Sequence, residues 1–188
     1  MLIPNSRFLS SLILTLTFMN AVLISIVFYL LVPLISPSAN IKNAPKFADE
    51  IMQTIGPDAT IFWQVNLETN SRMALVGRAK NVADAAAVNV YITLAQRMSF
   101  TAAISPSTFQ ALLSGNSLCY KTSGVSIMAI SALSKLNAEF PDSVSCIVPN
   151  KNSNGILNGY VIQIWKRSLS VDEQNSVIIQ TQNILTRK

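Results

Sequence analysis

VSCIVPNKNSNGILNGYVIQIW, residues 144–165, is the stretch whose reading decides the fold. Two runs rich in β-branched and aromatic residues, Val144–Val148 and Leu157–Trp165, flank the polar turn Asn150–Gly155, the pattern of two strands joined by a reversal. The order Val161, Ile162, Gln163, Ile164, Trp165 predicts a strand buried mostly on one face. Ser170 followed by Glu173 then forms a capping-box signature, and Val177, Ile178, Thr181 and Leu185 give the following helix an inner stripe. A sheet with an apolar face next to such a helix predicts an α+β domain in which helices cover an antiparallel sheet.

Upstream segments extend that reading. Phe47, Ile51 and Ile55 recur four residues apart and predict an amphipathic helix over 44–55, stopped by Gly56-Pro57-Asp58. Residues 60–67 and 72–78 read as a β-hairpin around Glu68–Ser71. Asn81, with Asp84 three residues on, caps a predicted helix to Met98. Pro106 opens another short helix that ends at Gly115. Residues 117–131 read as one or two strands, whereas 127–140 also fit a helix.

Ahead of this domain, Phe8 to Ile41 contains no charged residue. A bilayer core of roughly 30 Å takes about 20 apolar residues as a helix, so the expectation is a transmembrane helix at 8–36. A secretory signal has an apolar core of only about 7–15 residues, which favours an uncleaved anchor. Residues 1–7 are then a short cytoplasmic N-terminus, 37–43 a linker and 44–188 a periplasmic domain. Flanking charge is nearly balanced, Arg7 before the run and Lys42 and Lys46 after it, and decides orientation weakly. Cys119 and Cys146, the only cysteines, suit an oxidising compartment if bridged. The bridge would close a loop of about 28 residues, worth about 3 kcal/mol. Two separate buried thiols also fit the sequence.

Composition narrows the chemistry. With no histidine, the chain lacks the commonest general base near neutral pH and the commonest transition-metal ligand. The nine carboxylates are scattered, and six glycines form no phosphate-cradling loop. No enzyme, cofactor or metal site is expected. The net charge of +5 never clusters, and pairs such as Lys166-Arg167 are too small for a nucleic-acid footprint. Phe62, Trp63 and Trp165 read as core residues. Within the apolar run, Ser10, Thr17 and Asn20 fall in a wedge of roughly 80° at about 100° per residue, a polar strip that could drive self-association through interhelical hydrogen bonds.

The string from Ser145 to Lys188 resembles the C-terminal end of the holin of T-even-type bacteriophages. The resemblance is carried by Cys146 before the polar turn, Gly159 six residues ahead of Trp165, Arg167, and an ending of Ile184, Leu185 and Arg187. It implies a protein that oligomerises with itself in the host cell inner membrane, forms lesions that release endolysin, and receives an antiholin on its periplasmic domain. The lipid bilayer would be its surroundings, and Ser10, Thr17 and Asn20 its self-association strip. A competing expectation is a periplasmic sensing or regulatory subunit anchored by one transmembrane helix. A third is an accessory subunit of an envelope complex.

Overall fold

The computed structural model describes residues 39–121 and 143–187, together with Thr17, Met19 and Asn20. The chain divides into two compact units, Met1–Pro37 and Ser38–Lys188. In the first, Thr17, Met19 and Asn20 are helical and exposed. The rest of the expected 8–36 span, Ser10 included, lies outside the described residues. Among the described residues no helix is long and apolar enough to cross a membrane.

The second unit opens with α1 (Ala39–Lys42), a helical turn where a linker was expected, and α2 (Ala44–Thr54). Pro45 sits in the first turn of α2, where its missing N–H costs nothing, and Ala44, Phe47, Ala48 and Ile51 form the buried stripe. β1 (Ala59–Asn66) and β2 (Ser71–Ala79) make the predicted hairpin. Its tip is shaped by Asn66, whose side-chain oxygen accepts the N–H groups of Glu68 and Thr69. A register shift opposite Phe62 and Trp63 lets β2 present Ala74 to one face of the sheet and both Leu75 and Val76 to the other.

α3 (Val82–Ala95) begins as the sequence predicts, with the Asn81 side chain accepting the Asp84 N–H at 2.9 Å. It stops at Ala95 rather than Met98. The short α4 (Phe100–Ala103) follows, unforeseen in the sequence, and then α5 (Pro106–Ser114), capped by Ser105 and closed by Gly115 in the left-handed region at φ 83°. β3 is Leu118–Lys121. The undecided strand-or-helix segment beyond it, 122–142, lies outside the described residues. β4 (Val144–Lys151) and β5 (Leu157–Trp165) form the hairpin read from the sequence. In α6 (Val171–Thr186) both arms of the capping box between Ser170 and Glu173 are present.

The five strands lie in the order β2-β1-β5-β4-β3, every neighbouring pair antiparallel. Strand periodicity then sorts side chains into two layers. Ile61, Trp63 and Val65 of β1 and Tyr160, Ile162 and Ile164 of β5 face α3, α4 and α5, where they meet Val88, Tyr91, Phe100 and Leu112. Phe62, Val148 and Val161 face α2 and α6 and meet Phe47, Ile51, Ile184 and Leu185. The sheet is therefore covered on both sides. Cys119 and Cys146 stand opposite each other in the β3–β4 register and are joined by a disulfide beside Trp165, Leu169 and Val177.

Candidate functional site

The residues that carried the sequence resemblance do not converge. Gly159 lies in β5 against the backbone carbonyl of Trp63, with no room for a Cβ, which explains the glycine by close strand approach. Trp165, at the other end of β5, is buried in the cluster around the disulfide. The Arg167 guanidinium sits 5.7 Å from the Trp165 ring centre and pairs with Glu173 at 2.7 Å. Ile184 and Leu185 fill the α2–α6 layer, and Arg187 pairs with Glu50 at 2.5 Å. Each of these six has a packing or capping role, and together they form no site. Thr17 and Asn20 are exposed on a helix, and their expected companion Ser10 is not among the described residues.

The chemistry concentrates instead on the opposite face, around a residue the sequence reading passed over. Arg72 is the second residue of β2, one rung from the exposed hairpin tip, and pairs in register with Val65. Its parity turns it inward beside Ala74, while Met73 is exposed. The Arg72 side chain is only 6% exposed, yet none of the ion pairs among the described residues involves it. One terminal nitrogen donates to the Tyr160 hydroxyl at 2.8 Å and the other to the Ala95 carbonyl, at the end of α3, at 3.1 Å. The guanidinium carbon lies 4.3 Å from the centre of the Trp63 ring, a cation–π contact in a water-poor setting.

Beside this cation the aromatic rings pack on one another. Trp63 stacks on Tyr160 at 6.3 Å and meets Tyr91 edge-on at 6.2 Å; Phe100 stacks on Tyr160 at 5.8 Å and meets Phe109 edge-on at 5.4 Å. α4 is held over them by the hairpin tip. Asn70, left-handed at φ 49°, accepts the Thr101 N–H at 3.1 Å through its side chain, and its carbonyl accepts the Phe100 N–H at 2.9 Å. Burial pushes the Tyr160 phenol far above its ordinary range, against the pull of Arg72, so its hydroxyl stays protonated. Burial raises Tyr120 in the same way, reinforced by Tyr91 and Tyr160.

Donors outnumber acceptors here. Arg72 Nε and Trp63 Nε1 are buried N–H groups without an acceptor. The Tyr160 oxygen is used up as the acceptor for Arg72, and no hydrogen bond from its own O–H is formed among the described residues. A buried unpartnered donor costs about 1–3 kcal/mol, so an arrangement of this kind calls for an explanation. The sequence signal that could have found it is a lone arginine at an inward position of a hairpin strand with no carboxylate in phase.

Elsewhere, a polar groove of about 380 Å³ runs between the ends of α5, β4 and α6. The Lys151 ammonium occupies the space a Gly115 Cβ would take, where it complements the C-terminal end of the α5 dipole. Among the described residues no three His, Cys, Asp or Glu side chains are placed to hold a metal ion.

No family model and no curated protein matches the chain. Solved structures do match its fold. A GAF domain/HD domain protein from Geobacter sulfurreducens superposes with a TM-score of 0.54 at 11% identity, over 79% of this chain and 90% of that one. A GAF domain from Synechocystis, in its photoproduct state, gives 0.54 at 12% identity over 78% and 91%. A domain assigned to a two-component sensor histidine kinase from Sinorhizobium meliloti gives 0.53 at 11% identity over 80% and 89%. At such identities the likeness shows the fold alone. It nevertheless overturns the holin expectation: the C-terminal unit has the architecture of GAF domains, and the residues behind the holin resemblance are accounted for by strand packing, a helix cap and surface ion pairs. Lesion formation, host lysis and antiholin reception go with it.

Proposed function

We propose that residues 38–188 form a regulatory sensing domain, a GAF-like module that takes up a small molecule beneath α3–α5 and reports its presence through the helices on the other face. The observation that carries the reading is the sheet order β2-β1-β5-β4-β3 with a helical layer on each side, which superposes along about nine-tenths of the length of two GAF-domain structures and of a domain of a two-component sensor histidine kinase. The buried Arg72, without a carboxylate partner among the described residues, is the feature of the layer beneath α3–α5 that supports it. On the opposite face α2 and α6, near the two ends of the unit, contact each other and suit an output surface. The Cys119–Cys146 bridge favours an oxidising compartment. The reading thus includes a periplasm-like location, with the uncharged run ahead of the domain as its tether.

A ligand that binds only the folded state stabilises it by about 2.7 kcal/mol at a hundredfold excess over Kd. For a domain of this size that is a rise in Tm of roughly 5–10 °C. Purified full-length protein, screened by thermal shift against a broad metabolite panel, is expected to show such a rise for at least one chemical class. A panel that leaves Tm unmoved throughout would sink the sensing role.

A further inference from the structure

α3 departs from the pattern of a surface helix. On its outward side Val82, Val90 and Leu94 are 87%, 45% and 40% exposed, and Ala83, Ala86, Asn89 and Thr93 are exposed with them. None of these carries a charge. The one charged residue of α3, Asp84, is buried and paired with Lys166. α6, across the sheet, instead exposes Asp172, Gln180 and Gln182, as a solvated helix does. The inward side of α3 is already occupied: a Cβ on Gly77 of β2 would meet Ile92 Cδ1 at 2.8 Å and Val88 Cγ1 at 2.9 Å. Since β2 is the outermost strand on that side, the far face of α3 is open. A helix that is apolar all round belongs in a buried position, and here only one side has its cover.

We infer that this face is the interface of a homodimer, in which two copies pack their α3 helices antiparallel about a two-fold axis near Val88. The order of side-chain sizes along the face selects a second copy as the occupant. Its N-terminal half offers Ala83 and Ala86, and its C-terminal half Val90, Thr93 and Leu94. An antiparallel partner centred on residue 88 sets Val90 over Ala86 and Thr93 over Ala83 of the other copy, so branched side chains fill the hollows beside the alanines. Parallel helices would set branched on branched and alanine on alanine. Asn89 falls beside the axis, where two amides can bond to each other and fix the register. Charge points the same way: a chain with a net charge of +5 repels its own copies through basic surfaces, but not through an uncharged one, which in turn gives an ionic partner nothing to pair with. The 14-residue helix is about 21 Å long, and two such faces bury on the order of 1,000 Å² together, the lower end for a specific interface, so the dimer is a reversible one. The α2–α6 surface, on the other side of the sheet, stays free in the pair.

Sedimentation equilibrium of the full-length protein in a mild detergent, over a range of concentrations, is expected to show a monomer–dimer equilibrium. Ala86→Glu puts a charge against Val90 of the other copy twice per dimer and is expected to weaken association by roughly tenfold or more. Ala86 is exposed in the single chain, so circular dichroism should be unchanged by the substitution. Oxidative cross-linking then locates the contact, because the polar strip expected ahead of the domain would associate independently. Asn89→Cys is expected to give a covalent dimer, and Gln180→Cys, exposed on α6, to give none. A monomer at every concentration, a dimer indifferent to Ala86→Glu, or equal cross-linking at positions 89 and 180 would overturn the assignment. Association carried by residues 1–37 alone gives the last two results together.

Discussion

At the residue scale, most of the polar side chains that stood out in the sequence turn out to terminate or join elements. Glu173 shows this well. Its carboxylate accepts the Ser170 N–H at 2.7 Å and pairs with Arg167 at 2.7 Å. The Ser170 backbone bond, then the Arg167 bond, then the Ser170 side chain hold it below the ordinary carboxylate value of 4.5. A carboxylate depressed in the folded state adds stability above its unfolded pKa and loses that contribution as pH falls through the folded pKa. Stability should therefore decline as pH drops below 4.5, and Glu173→Gln should flatten that part of the profile while leaving a lower plateau at neutral pH. Urea midpoints measured from pH 7 to pH 3 check this, and parallel profiles for the two proteins would contradict it. Arg72 is the contrasting case, a residue with a buried charge that no local pattern announces. Its inward parity was countable from Met73 and Ala74, but the company it keeps comes from Ala95 and Tyr160, far away in sequence.

Elements were largely legible where a physical signal sits at their ends. Asn81, Ser105 and Ser170 each cap the helix that follows by accepting an N–H three residues on, and Gly115 closes α5 in a conformation that penalises side chains. α3 was read three residues too long because Gln96, Arg97 and Met98 are good helix formers, and only the sheet fixes where the chain must leave it. α4 escaped notice because four residues carry too little periodicity. β3 is a short edge strand attached to its neighbour by the Cys119–Cys146 bridge, which spans 27 positions of sequence. Replacing both cysteines with alanine should cost about 3 kcal/mol through release of loop-closure entropy in the unfolded chain. The urea midpoint should fall accordingly, and chain trapped with an alkylating agent during cell lysis should carry no free thiol. An unchanged midpoint with both thiols alkylated would show the native protein unbridged.

At the scale of the whole molecule, one sheet serves two helical layers, and a tryptophan reports on each. Trp63 lies beneath α3–α5 and Trp165 beside the disulfide on the α2–α6 side. The layers are tied through the sheet by side chains such as Gln163, whose amide donates to the Thr181 hydroxyl on α6, which in turn donates to the Val177 carbonyl at 2.7 Å. A domain with both faces built on shared strands should unfold in one step. Trp165→Phe and Trp63→Phe proteins, each with a single tryptophan, should each give fluorescence transitions that coincide with their own circular dichroism. Separate midpoints within either protein would mean that one helical layer detaches before the other.

By itself the sequence determined the local structure: the two hairpins, the capped helices, the antiparallel α+β class and the pairing partners available to two lone cysteines. These follow from side-chain periodicity and from hydrogen bonds made within a few residues, which are written in neighbouring positions. The tertiary structure alone decided the strand order β2-β1-β5-β4-β3 and the covering of both faces. Strand order depends on contacts among residues more than a hundred positions apart, as between Ile61 and Ile162. The resemblance in the last quarter of the chain misled for the same reason: a turn, a buried tryptophan and a capped helix are local solutions that unrelated folds share. The buried arginine emerged only when a hairpin, the end of α3 and the middle strand β5 were brought together, because a buried charge is defined by what surrounds it.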